Sequence, residues 1–61
     1  MWSVFLRFIQ WCWSVVWRYG YSVISKVVAW AYNNWRQVYD WIIRGIAFDT
    51  ILRWIRDRLG I

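Results

Sequence analysis

Sixty-one residues make one domain, and a chain this short buries only about 60% of the surface it exposes when unfolded. Cys12 is the only cysteine and histidine is absent, which rules out an internal disulfide and leaves a zinc site only one thiol and three aspartates to draw on. Eight Lys and Arg against three acidic residues give a net charge of +5, which predicts attraction to polyanions, either nucleic acid or acidic lipid. A chain that is 62% hydrophobic with eight tryptophans fits a bilayer interface better than nucleic acid.

Without disulfide or metal, stability has to come from dense helix packing with large apolar side chains. There is no proline, and Gly20, Gly45 and Gly60 each follow a periodic stretch, as C-terminal helix stops do. Asn33-Asn34 is a weaker fourth break, and Ser22 and Asp49 are candidate N-caps. These signals predict four helices, over residues 2–19, 22–33, 35–44 and 50–59, in one compact all-α domain spanning residues 1–61.

In the first helix Ser3, Arg7, Gln10, Ser14 and Arg18 recur at steps of three and four and form one narrow polar stripe. Cys12 lies opposite, ringed by Phe5, Phe8, Ile9, Val16 and Tyr19, and is expected to fill space as a buried thiol. So wide an apolar arc predicts that this helix is the central one. The stretch is awkward as a signal peptide, because Arg7 and Gln10 interrupt it and no A-x-A site follows. As a membrane span it is slightly short and carries a central arginine.

The second helix turns Ser22, Ser25, Lys26, Ala29 and Asn33 outward and Ile24, Val27, Val28 and Ala31 inward. The third places Arg36, Gln37, Asp40 and Arg44 outside, with Trp35, Val38, Tyr39, Ile42 and Ile43 inside. In the fourth, Arg53, Arg56 and Asp57 oppose Ile51, Leu52, Ile55 and Leu59. Arg36–Asp40, Asp40–Arg44 and Arg53–Asp57 have the i,i+4 spacing of surface ion pairs. Arg56 and Arg58 sit where cations meet a helix C-terminal dipole.

Each helix carries a tryptophan at the border of its polar face: Trp11 and Trp17 in the first, Trp30 in the second, Trp41 in the third and Trp54 in the fourth. Indole favours the headgroup region of a bilayer. Arg7, Arg18, Lys26, Arg36, Arg44, Arg53, Arg56 and Arg58 are the matching candidates for phosphate contact. The competing reading is that these rings thicken a small core or stack under arginines as cation–π pairs. For catalysis the residues are wrong: there is no His, no Glu and no nucleophile–base pairing. No cofactor, metal or small-molecule substrate is expected.

The chain resembles the leaderless bacteriocins of the aureocin and lacticin Q type. Arg18-Tyr19-Gly20 stands for their K-Y-G, and Ser25-Lys26, Val28, Trp30-Ala31-Tyr32 and Asn34 resemble S-K-A-V-x-W-A-W-x-N. Asp40-Trp41, Gly45, Ala47, Asp49, Ile55 and Leu59-Gly60-Ile61 follow without a gap, and Phe5-Leu6-Arg7 and Gln10 match near the start. The ungapped register runs from Ser25 to Ile61. Extra residues around Trp11–Trp17 and Tyr21–Ile24, arginine for lysine, Trp35-Arg36 at a lysine-glycine break and Thr50 in place of a tryptophan depart from the pattern.

The resemblance implies a four-helix, saposin-like globule, made without a leader and exported with Met1, that permeabilises bacterial membranes without a protein receptor. On this reading a soluble monomer docks on anionic phospholipid. The alternatives are a small integral membrane protein, an intracellular toxin or holin-like peptide, spanning with residues 2–19, and a nucleic-acid-binding module.

Overall fold

In the computed structural model, which describes residues 2–61 with side chains from Ser3 onward, the chain winds into α1 (Trp2–Ser14), α2 (Val16–Tyr19), α3 (Tyr21–Asn33), α4 (Trp35–Ile43) and α5 (Phe48–Leu59). Met1, whose retention the resemblance implies, lies outside the described residues. The all-α expectation holds, with five helical segments in place of four. The extra one arises at Val15, where the first predicted helix breaks. Ser14 Oγ donates to the Trp11 carbonyl at 2.6 Å, and the Val15 N–H is shared between the Trp11 and Cys12 carbonyls, both at 3.2 Å. A serine bonding back one turn competes with the helix ladder and bends it. The β-branched pair Val15-Val16 adds little helix propensity to resist the bend.

The joints on either side of α3 are single residues. Gly20 adopts φ 92°, ψ 151°, a conformation essentially confined to glycine, and serves as both the end of α2 and the start of α3. Ser22 therefore lies inside α3 and caps nothing. At the other joint the Asn34 N–H and side-chain amide both donate to the Trp30 carbonyl, at 2.9 and 3.1 Å. That arrangement lets α4 start at Trp35. Helix α5 begins two residues earlier than expected, from Ala47, and Asp49 sits in its first turn. There its Oδ1 accepts the Thr50 N–H at 2.9 Å, and its charge faces the positive end of the helix. The last turn closes as a Schellman motif, with Ile61 N–H on the Arg56 carbonyl, Gly60 N–H on the Asp57 carbonyl and Gly60 left-handed at φ 73°.

The core draws Phe5, Phe8, Ile9 and Cys12 from α1, Ile24, Val27, Val28 and Ala31 from α3, Val38 and Trp41 from α4, and Ile51, Leu52 and Ile55 from α5. Among the described residues no polar or charged residue is buried with them. The radius of gyration is 10.4 Å, close to the ~10.5 Å that chain length predicts for a close-packed domain. α1 is not alone at the centre: α3 also touches every other helix, because its apolar face is as completely covered. α2 packs on α1 and α3 only, so side chains have to span the gap between it and α5.

Cys12 is completely buried and free. Burial, which penalises the thiolate, pushes its pKa from 9.0 up to about 12. An acid whose folded pKa is raised keeps its proton in the native state while the unfolded chain loses it. Stability is then whole below pH 9.0 and declines as pH rises from 9.0 toward about 12. The expected slope is about 1.4 kcal/mol per pH unit. Denaturant titrations of the wild type and Cys12→Ala between pH 8 and 11 should converge as the pH rises, since the variant lacks this loss. Parallel curves would refute the assignment.

Candidate functional surface

The sequence-predicted cations all reach the surface, and Arg56 alone is partly covered. Of the three predicted ion pairs only Arg44–Asp40 forms, at 3.0 Å and well exposed. Among the described residues Arg36–Asp40 and Arg53–Asp57 do not close. Arginine heads lie over rings in their place: Arg36 over Trp35 at 5.5 Å, Arg58 over Trp30 and Trp41 at 5.8 and 5.6 Å, and Arg18 and Arg56 over Tyr19 at 5.7 and 5.5 Å. Guanidinium is weakly hydrated and planar, so a ring face holds it without neutralising it. The positive charge therefore remains available to an outside anion. The three aspartates sit on α4 and α5, whereas α1 to α3 carry Arg7, Arg18 and Lys26 and no carboxylate.

The tryptophans divide. Trp17 is the most open at 79%, and Trp54 lies just at the surface. Trp30 and Trp11 are half-buried. Trp11 is turned away from Arg7 and Arg18, against Phe8 and Phe48 with ring centroids at 6.2 and 5.8 Å. Trp41 corrects the expectation outright: at 7% exposure it belongs to the core. It stacks on Trp30 at 6.1 Å and meets Trp54 edge-on at 5.2 Å, because α5 covers the edge of α4 that an isolated helical wheel leaves at the waterline. Ile43, expected inside, is correspondingly 60% exposed. The packed face of α4 is thus turned by roughly 60° at 100° per residue. Beside Arg58, a cleft of about 340 Å³ is lined by Trp41, Trp54 and Asp57.

Sequence reasoning missed one exposed apolar feature. The polar stripe of α1 has two flanks, and Leu6, Trp13 and Trp17 share one of them at helical spacing. Phe48 of α5 covers the Trp11 flank, and the described side chains of the other flank are exposed. Leu6, Trp13 and Trp17 are all exposed, as is Tyr21 at 71%, whose ring lies 5.8 Å from that of Trp13. The result is an aromatic ridge along α1, α2 and the start of α3, bordered by exposed Arg7, Gln10, Ser14 and Arg18. The spacing was readable, but which flank α5 would cover was not.

A second feature lies between α2 and α5. Arg18, Tyr19, Asp49, Leu52, Arg53 and Arg56 line a cleft of about 270 Å³. Among the described residues no group of three or more His, Cys, Asp or Glu side chains is placed to hold a metal ion, and no helix is long and apolar enough to cross a membrane. Scanned against protein-family models the chain matches none, and searches of curated proteins and of solved structures find no match either.

The division between ridge and core can be measured. Trp17→Ala should change unfolding free energy by no more than about 0.5 kcal/mol. Trp41→Ala should cost about 3–5 kcal/mol, enough to unfold much of so small a domain. Chemical denaturation followed by far-UV circular dichroism reads both. Equal losses would mean that the ridge is structural.

Proposed function

We propose that this protein is a secreted antimicrobial protein, a bacteriocin of the kind it resembles, that binds anionic bacterial membranes and permeabilises them without enzymatic chemistry. The observation that carries the reading is the uncovered ridge of Leu6, Trp13, Trp17 and Tyr21 beside Arg7 and Arg18. A contiguous exposed apolar strip rimmed by cations is what a soluble domain needs in order to sit in a headgroup layer. Indole and phenol rings bury their bodies at the acyl boundary and keep N–H and O–H in water, while the guanidiniums meet lipid phosphate.

Magnitudes show that both parts are required. A basic residue near an anionic surface contributes about 1 kcal/mol, so a net charge of +5 supplies at most about 5 kcal/mol, all of it salt-sensitive. Two or three indoles at ~25 cal/mol per Å² add a comparable amount that salt does not screen. The acid-free ridge of α1, α2 and the start of α3 then enters the bilayer, while the three aspartates all belong to α4 and α5. Once the ridge is inserted, the area it adds to one leaflet strains the bilayer and opens it.

Dye release from phosphatidylglycerol vesicles tests this. Release is expected at low protein-to-lipid ratio, together with a blue shift of tryptophan emission. Phosphatidylcholine vesicles should respond far less, and a DNA duplex should compete poorly. Trp13→Ala with Trp17→Ala should weaken partitioning about tenfold or more. Intact phosphatidylglycerol vesicles at every dose would end the proposal. A chain that purifies only in detergent would favour an integral membrane protein, and strong DNA binding without lipid preference would favour a nucleic-acid module.

A further inference from the structure

The cleft between α2 and α5 gathers three guanidiniums with little to neutralise them. Arg18 and Arg56 lie 5.7 and 5.5 Å from the centre of the one Tyr19 ring, and Arg53 stands three residues before Arg56 on α5. Asp49, one turn before Arg53, has the favourable spacing for an ion pair, yet among the described residues it makes none. Its Oδ1 is taken by the Thr50 N–H. Arg56 gives Nη2 to the Ile61 carbonyl at 3.2 Å, while its Nε is shielded from water and has no acceptor. Such a buried donor is rare and costly to leave unmatched. A small turn of the guanidinium toward the cleft would let an entering oxyanion supply what this edge lacks.

Resting on the membrane reading above, we propose that this cleft is a headgroup receptor selective for phosphodiesters that carry hydroxyl donors, as phosphatidylglycerol does. The phosphate sits among Arg18, Arg53 and Arg56, and the headgroup hydroxyls donate to the free oxygen of Asp49. Charge sets the selectivity. A phosphodiester carries one negative charge and tolerates Asp49, whereas inorganic phosphate near neutral pH is partly dianionic, is repelled more strongly by it, and brings no headgroup hydroxyl beyond its own acidic protons. A choline headgroup brings no donor for the carboxylate. The cleft, at about 270 Å³, has room for one headgroup, and Arg18 follows Trp17 of the ridge, so docking the rings brings the receptor to the lipid surface.

The test uses the full chain, labelled with ¹⁵N, and reads the arginine Nε–H signals. The probes are dihexanoyl-phosphatidylglycerol below its micelle threshold, dihexanoyl-phosphatidylcholine at the same concentration, and inorganic phosphate. Phosphatidylglycerol should move the Arg18, Arg53 and Arg56 signals ahead of the other arginines, with phosphate and phosphatidylcholine about tenfold weaker. Arg53→Gln should weaken that response about tenfold, against threefold or less for Arg7→Gln, which removes the same charge elsewhere. Asp49→Asn should bring the affinities for phosphate and phosphatidylglycerol together.

Equal movement of all arginine signals, or phosphate binding as well as phosphatidylglycerol in the wild type, would overturn the receptor. Displacement of the lipid by a short DNA duplex would do the same. If the short-chain lipid leaves the signals still while vesicles continue to leak, this inference fails alone. If the vesicles are untouched as well, the membrane reading fails with it.

Discussion

Aromatic rings packed on aromatic rings hold this bundle together, with no disulfide, no cluster of metal-ligating side chains and no buried charged residue among the described residues behind them. Phe8 meets Trp11 and Phe48, and so ties α1 to the start of α5. The Trp30–Trp41–Trp54 cluster joins α3, α4 and α5 from the other side. Each ring supplies a large apolar area with few rotatable bonds, which suits a chain whose surface-to-volume ratio is against it. The same arithmetic has a second result. A domain of this length cannot enclose all of its indoles, so some remain outside, and their position is the main thing the fold decides.

That decision follows from where the polar residues allow helices to meet. α5 lies against α3 and closes over one edge of α4, drawing Trp41 inside and pushing Ile43 out. Phe48, at the start of α5, covers one flank of α1. The opposite flank, continued through the Val15 break into α2, keeps Leu6, Trp13 and Trp17 exposed. Four of the arginines, Arg18, Arg36, Arg56 and Arg58, lie over ring faces. A cation–π contact fixes a guanidinium in place without supplying the oxygen acceptors it prefers. The surface is therefore both greasy, because the core is too small for its rings, and underneutralised, because carboxylates are scarce.

Much of this was legible in the residues. The inward face of α3, with Ile24, Val27, Val28 and Ala31, is buried as its periodicity demands, and the polar stripe of α1 from Ser3 to Ser14 is exposed throughout. The three glycines all take positive φ at helix ends. What was not legible depended on packing between elements. The apolar arc of α4 covers more than half its circumference, so periodicity alone could not choose which part would be seated. Trp11 and Trp17 look equivalent on a wheel, one on each flank of the polar stripe, and the path of α5 separates them. The break at Val15 came from a local hydrogen bond, Ser14 Oγ to the Trp11 carbonyl, in a stretch whose periodicity ran straight through it. The arginine cleft joins α2 to α5, far apart in the chain, and no spacing rule reaches across that distance.

The one-residue joints at Gly20 and Asn34 bear on how the domain comes into being. Closing a connection of a single residue sacrifices almost no loop freedom, so α2, α3 and α4 meet their neighbours as soon as they form. With mostly local pairings, a helical chain of this size belongs among those that assemble in microseconds to milliseconds. The long pairings that remain are α1 with α4 and the return of α5 onto α3 and α1. A globule built this way refolds quickly after being pulled apart, because most of the contacts it must regain lie close by along the chain.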